Sequence, residues 1–210
     1  MKYLLATNNP GKAKEIAPLF EEAGHKLISL AELGFSFEAR EDGDSFIDNA
    51  MQKARETAKF LRERAHPHIA VLADDSGLVI DALDGEPGVH SALFMGRETP
   101  YHIRNQAILD KLAGLPEEKR SARFICTLVC LFPDNSVLTA IGTIEGRVAY
   151  EMHGEGGFGY DPIFFYPPLG KTLAELTSEE KNIVSHRGKA IYKMIGMINN
   201  ENSRNERHSR

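Results

Sequence analysis

The chain has 210 residues, 42% of them hydrophobic, enough to build one well-packed domain or two lobes sharing a core. Its formal charge of −5 argues against a general binder of nucleic acid or of an anionic membrane, because phosphate-backbone affinity needs a basic surface that releases counterions. A small anionic ligand held by a few clustered Lys and Arg is compatible with that balance.

The apolar run in MKYLLATNNPGK is too short for a secretory core, and no later segment approaches membrane-spanning length, so a soluble, cytoplasmic protein with no membrane partner is expected. Residues 2–7 (KYLLAT) read as a strand running into the turn Asn8-Asn9-Pro10-Gly11. A helix follows, with Ile16, Leu19, Phe20 and Ala23 on one face and Gly24 at its end. Residues 26–30 form a second short strand. Beyond an acidic loop, 38–44, Asp44 or Ser45 can cap a long helix carrying Phe46, Ala50, Lys53/Ala54, Thr57 and Leu61 at helical spacing.

Residues 69–73 and 78–83 read as two further strands, with Ser76-Gly77 as a tight bend between them, and DGEPGVHSA follows as a loop. A third helix starts within 98–100 and runs to about Ala113. Residues 123–132 and 137–149 are long β-type runs joined by PDNS into a hairpin. Cys126 and Cys130 fall on one face of the first run and read as reduced core thiols, and the histidines show no HExxH spacing. GEGGFGYDPIFFYP is a glycine-rich loop entering a short strand. Thr177 or Ser178 opens a last helical region, interrupted around Ser185 and closed by HRGKAIYKMIGMI. From Asn199 no apolar residue remains, so residues 199–210 read as a disordered polar tail and residues 1–198 as a single domain. The mixture predicts an α/β fold with a mixed sheet.

Four stretches can carry chemistry. ATNNPGKA approaches a P-loop, but Ala13 stands where that motif needs Ser or Thr. What survives is a strand turning into a helix whose first N–H groups and Lys12 can meet phosphate, a reading that weighs evenly against a plain turn with a surface lysine. The acidic loop AREDGDSF reads either as capping or as one half of a magnesium site, completed by an acid from LADDSGL. Adjacent strand residues face opposite ways, so Asp74 and Asp75 should part, one to a ligand and one to a structural partner. In GGFGYDPIF, Phe158 or Tyr160 can stack on a base and Asp161 can accept hydrogen bonds, or the aromatics are simply core. SEEKNIVSHRGKA brings Lys181, His186, Arg187 and Lys189 together on a broken helix.

The ordered set T-N-N-x-x-K, E-x-G, QKA, A-D-D-S-G-L, G-G-F-G-Y-D-P-I-F and S-H-R-G-K-A resembles the inosine/xanthosine triphosphate pyrophosphatase family from Tyr3 to the closing helix. The resemblance implies hydrolysis of ITP, dITP or XTP to the monophosphate and pyrophosphate with Mg2+. It also implies a homodimer and an elongated mixed α/β sheet with flanking helices, in two lobes around a central nucleotide-binding cleft. By similarity Thr7, Asn8, Asn9, Pro10, Gly11, Lys12 and Lys53 meet the triphosphate and Ser76 contacts substrate. Glu41 and Asp75 hold the metal, and Asp75 is the catalytic base. Phe158, Gly159, Tyr160, Asp161, Lys181, His186 and Arg187 match the nucleoside-binding positions. A pyrophosphatase of other base preference, or a nucleotide-binding module without turnover, are the alternatives.

Overall fold

A computed structural model of the chain describes residues 2–208. Its strands are β1 (Tyr3–Leu5), β2 (Leu27–Ile28), β3 (Ala70–Ile80), β4 (Ser121–Leu131), β5 (Val137–Val148), β6 (Phe164–Tyr166) and β7 (Lys171–Thr172). The helices are α1 (Pro10–Glu22), α2 (Phe46–Arg62), α3 (Tyr101–Lys111), α4 (Ser178–Val184) and α5 (His186–His208). The strands form one sheet in the order β2-β1-β3-β4-β5-β6-β7. It is mixed, as expected: β1 runs parallel to β2 and β3, and β6 antiparallel to β5 and β7.

Two compact units divide the described chain: residues 2–75, 126–142 and 187–208 in one, 76–125 and 143–186 in the other. In the first, the period of two along each strand sorts side chains into two cores. Tyr3, Leu5, Ala70, Leu72, Cys126, Leu128 and Cys130 pack with Ile16, Leu19 and Phe20 of α1 and with Ala190, Ile191, Met194 and Ile198 of α5. The alternate residues Leu4, Ala6, Val71, Ala73, Val129 and Leu131 pack with Ala50, Ala54 and Leu61 of α2. Strands covered on both faces read as continuous apolar runs, which is why YLLA, AVLA and ICTLVCL lack polar alternation. In the second unit, Leu78 and Ile80 join Ile108 and Leu109 of α3, Leu112 just after it, and Phe124, Ile144, Val148 and Phe164 in one core.

Two expectations are corrected. Residues 69–73 and 78–83 are not two strands about a bend: β3 continues through Ser76 and Gly77. Gly77 is absent from the glycines with positive φ, and the next N–H, of Leu78, donates to Ser91 Oγ at 2.9 Å. The short strand expected after the glycine-rich loop is β6, and it pairs antiparallel with β7 just beyond that stretch. The polar tail continues as helix to His208, because adding residues to a helix nucleated by the buried stretch from Ala190 to Ile198 costs little. Ser209 and Arg210 lie outside the described residues.

Both thiols are fully buried, and burial pushes each up to about 12. A thiol reagent at pH 8 is therefore expected to leave the native protein unmodified and to label both cysteines after denaturation; rapid native labelling would contradict this packing. The linkage has a definite sign. Unfolded thiols ionise near 9.0 and the folded ones only near about 12, so stability falls as pH rises through that window. Replacing both cysteines by Ala should flatten that alkaline limb of urea unfolding.

Candidate active site

The alternation that sorts the first unit's core continues into its acids. Residues 70 and 72 face α1 and α5, so Asp74 does too; residues 71 and 73 face α2, so Asp75 does. The partners agree. Asp74, with no exposed surface, meets Lys12 Nζ of α1 at 2.9 Å and Arg187 Nε of α5 at 3.7 Å. Arg187 also pairs with Glu15 of α1, giving a quartet of two cations and two anions in which Asp74 and Arg187 are buried and Lys12 and Glu15 part-buried. Burial alone would lift the Asp74 carboxyl, but Lys12 and Arg187 overcome it and hold it at about 2. Burial would also lower Lys12 and Arg187, and Asp74 and Glu15 keep both above their ordinary values.

Asp75 has a different environment. Its Oδ2 accepts from Asn49 Nδ2 of α2 at 3.0 Å. Burial first, with the charge of Glu41 adding to it, lifts its carboxyl above the usual range against the pull of Lys12 and Lys53. Lys53, one helical turn beyond Asn49, pairs with Glu41 and donates to the Asp74 carbonyl at 2.8 Å. Glu41, Lys53, Lys12 and both aspartates thus assemble within the first unit.

The turn into α1 is tighter than expected. Asn9 caps the helix, its Oδ1 accepting from the Gly11 and Lys12 N–H groups at 2.9 and 3.2 Å, and its own N–H donates to Thr7 Oγ1 at 3.2 Å. Pro10 occupies the first helical position, where no N–H is needed. Two of the N–H groups expected to face phosphate are thereby engaged by the cap. Asn8 donates from its side chain to the Phe37 carbonyl at 3.3 Å.

In the second unit, Asp161 closes the glycine loop on itself. Its Oδ2 accepts from the Phe158 N–H at 2.7 Å and pairs with Lys181 of α4 at 2.5 Å, both side chains buried. A Cβ at Gly157 would lie 2.2 Å from that oxygen, so only glycine fits there. Lys181 Nζ sits 5.0 Å from the Phe158 ring centre. The two aromatics divide: Phe158 is part-exposed, whereas Tyr160 is a core residue set edge-on to Tyr101, its hydroxyl donating to the Ser91 carbonyl at 2.8 Å. Tyr160 therefore supports the loop from beneath, and Phe158 is the ring that keeps exposed surface. Asn105 holds the Gly159 carbonyl at 3.1 Å, and the His186 ring stacks on Phe124 with centres 4.6 Å apart. Arg104 donates to the carbonyls of Ser91, Ala92, Gly96, Arg97 and Thr99, wrapping the segment that Tyr160 meets. Glu15, Asn49, Ser91, Arg104 and Asn105 were not among the residues singled out from the sequence.

Replacing Asp74 by Asn would leave Lys12 and Arg187 short of a buried counter-charge. Asp74→Asn is expected to destabilise the fold by about 3–5 kcal/mol, read as a lower urea midpoint; an unchanged midpoint would remove the quartet from the account of stability.

The model of the Ham1 family matches residues 3–197. A dITP/XTP pyrophosphatase of Desulforamulus reducens is 46% identical over 199 residues, covering 95% of this chain and 96% of its own. The dITP/XTP pyrophosphatase of Bacillus subtilis is 44% identical over 195 residues, covering 93% and 96%. The structure of the Staphylococcus aureus Ham1 protein matches with a TM-score of 0.82 at 36% identity, covering 96% of this chain and 100% of that one. With sequence and fold matched over nearly its whole length, the chain belongs to the Ham1 family.

Proposed function

We propose that this chain hydrolyses the deaminated purine nucleotides dITP, ITP and XTP to the monophosphate and pyrophosphate with the help of Mg2+, clearing them from the nucleotide pool. The names of its relatives support the substrate class. The observation that carries the mechanism is the division at β3: Asp74 is committed to Lys12 and Arg187, while Asp75 lies on the α2 face among Asn49, Lys53 and the charge of Glu41.

Water attacks the α-phosphorus, the bond to the oxygen bridging the α- and β-phosphates breaks, and its electron pair leaves with pyrophosphate. Asp75 takes the proton from the attacking water. Burial makes its carboxylate a stronger base than an exposed one, which suits proton abstraction near neutrality. Lys12 and Lys53 each carry three donors on a full positive charge, and supply phosphate contacts alongside Thr7, Asn8, Asn9, Pro10 and Gly11. Ser76 adds a substrate contact. Magnesium prefers few carboxylates together with waters and phosphate oxygens, and Asp75, with Glu41 close enough for its charge to act on it, fits that demand. Among the described residues no group of three or more His, Cys, Asp and Glu could hold a metal ion, so these two acids would share it with waters and substrate oxygens. Bound there, the ion would neutralise phosphate charge.

The nucleoside is held by Phe158, Gly159, Tyr160, Asp161, Lys181, His186 and Arg187, with Phe158 stacking on the base and Tyr160 acting through the loop it supports. A 6-keto purine presents an acceptor where adenine has a donor, so N–H groups following His186 favour hypoxanthine and xanthine. The Arg187 side chain is occupied by Glu15 and Asp74, so its part in reading the base is through backbone. Residues 1–198 act as one catalytic domain, as a homodimer in the cytoplasm; no helix among the described residues is long and apolar enough to cross a membrane.

Product identity and a substrate panel test this reading. Pyrophosphate rather than orthophosphate should appear, dITP, ITP and XTP should react far faster than ATP or GTP, and chelation should abolish turnover. Equal rates across the panel would sink the claim of deaminated purines. Asp75→Asn and Glu41→Gln should each lower kcat by about 100-fold or more, and wild-type turnover in either would remove that residue from its role.

A further inference from the structure

Asn49 is 2% exposed, in the first turn of α2, on the stripe where Ala50, Ala54 and Leu61 are buried. A buried amide there is costly unless both its ends are satisfied. Both are, by partners far apart in sequence. Oδ1 accepts from the Gly43 N–H at 2.8 Å, and Nδ2 donates to Asp75 Oδ2 at 3.0 Å. The Gly43 N–H can only donate, so it fixes which end of the amide is oxygen and turns the NH2 group toward the carboxylate. The approach of the loop needs glycine: a Cβ at position 43 would lie 2.8 Å from Asp48 Cβ and 3.0 Å from Asn49 Oδ1. Two residues before Gly43, Glu41 is held by Lys53, which stands four residues after Asn49 on the same helical face.

We propose that Asn49 is the positioning residue of the acid pair, holding the Asp75 carboxylate by one oxygen while its other end holds the loop that carries Glu41. A carboxylate gripped at one oxygen has its plane fixed, which sets the direction of the second oxygen toward water or metal. One amide thereby couples the placement of both acids. This rests on the roles given above to Asp75 and Glu41.

The full chain is tested as wild type, Asn49→Leu, Asn49→Asp and Leu61→Ala, the last a destabilising control on the same helix remote from the acids. Pyrophosphate release from dITP gives kcat and KM, calorimetric titration gives Mg2+ affinity of the free enzyme, and melting gives Tm. Asn49→Leu should lower kcat and weaken Mg2+ binding by about 10–100-fold, with KM changed less than about 3-fold. Asn49→Asp keeps an acceptor for Gly43 but sets a second carboxyl against Asp75 in place of the amide donor, so kcat should fall by at least a similar factor, and Tm should fall too, as it does in Leu61→Ala. Wild-type kcat in Asn49→Asp would overturn the proposal, since anchoring of the loop alone would then suffice. Equal losses of kcat and Mg2+ affinity in Leu61→Ala would overturn it too, by making them consequences of destabilisation. A wild-type protein that releases no pyrophosphate would instead refute the proposed activity, while the calorimetric comparison of Asn49→Leu with Leu61→Ala would still decide whether Asn49 positions the acids.

Discussion

The arrangement depends on the period of two in a strand that is buried on both faces. In β3 that period places residues 70 and 72 in one core and 71 and 73 in the other, and it does not stop when the side chains become acidic. Asp74 and Asp75 are adjacent in sequence, yet they serve different layers. A slip of one residue would exchange their roles and carry every apolar neighbour to the wrong side, so the packing of AVLA and the assignment of the two carboxylates are one constraint. The parallel register of Leu4 with Val71 and of Leu5 with Leu72 fixes it.

Burying Asp74 completely is tolerable only because the layer it enters offers charge. Lys12 and Glu15 lie one turn apart on α1, and Arg187 stands in the first turn of α5, so two helices that cover the same apolar face also deliver the countercharges. Such a quartet is not an efficient source of stability, since desolvation offsets most of its attraction. Its structural effect is to pin the starts of two helices against the middle of β3, next to Asp75, the proposed base. Lys12 thereby faces the acid through Asp74 with its position set by packing and not by solvent.

Much of this was legible in the sequence, and the limits have physical causes. The strand and helix runs of the first unit follow from apolar periodicity, and the parting of Asp74 and Asp75 follows from the same rule. The bend assigned to Ser76-Gly77 did not form, because glycine permits a turn without requiring one, and β3 continues where its neighbours pair with it. Tyr160 and Phe158 look alike in GGFGYDP, and only the core formed with Tyr101 and Ile163 separates a buried ring from an available one. The carbonyl network of Arg104 has no local signature at all, since backbone acceptors are invisible to composition. Asn49 did have one: a polar residue on the buried stripe of α2, in step with Lys53.

That step also accounts for two spacings in the chain. Four residues along a helix advance about 6 Å, and two residues of extended chain advance about 6.6 Å. Asn49 and Lys53 are four apart on α2, while the groups they hold, the Gly43 N–H and the Glu41 carboxylate, are two apart in the acidic loop and run in the opposite direction. These two spans are comparable, and both rungs close at once. A loop one residue longer between 41 and 43 could satisfy Asn49 or Lys53 but not both in the same geometry. The glycine at 43 lets the inner rung close at 2.8 Å, and the lysine, with its long flexible stem, takes up what mismatch remains at the outer one. The same helical face then reaches β3 through the Asp75 side chain and the Asp74 carbonyl, one contact from each rung. The acidic loop is thus built against α2 as much as against the strand, and the spacing of its acid from its glycine is a packing dimension before it is a chemical motif.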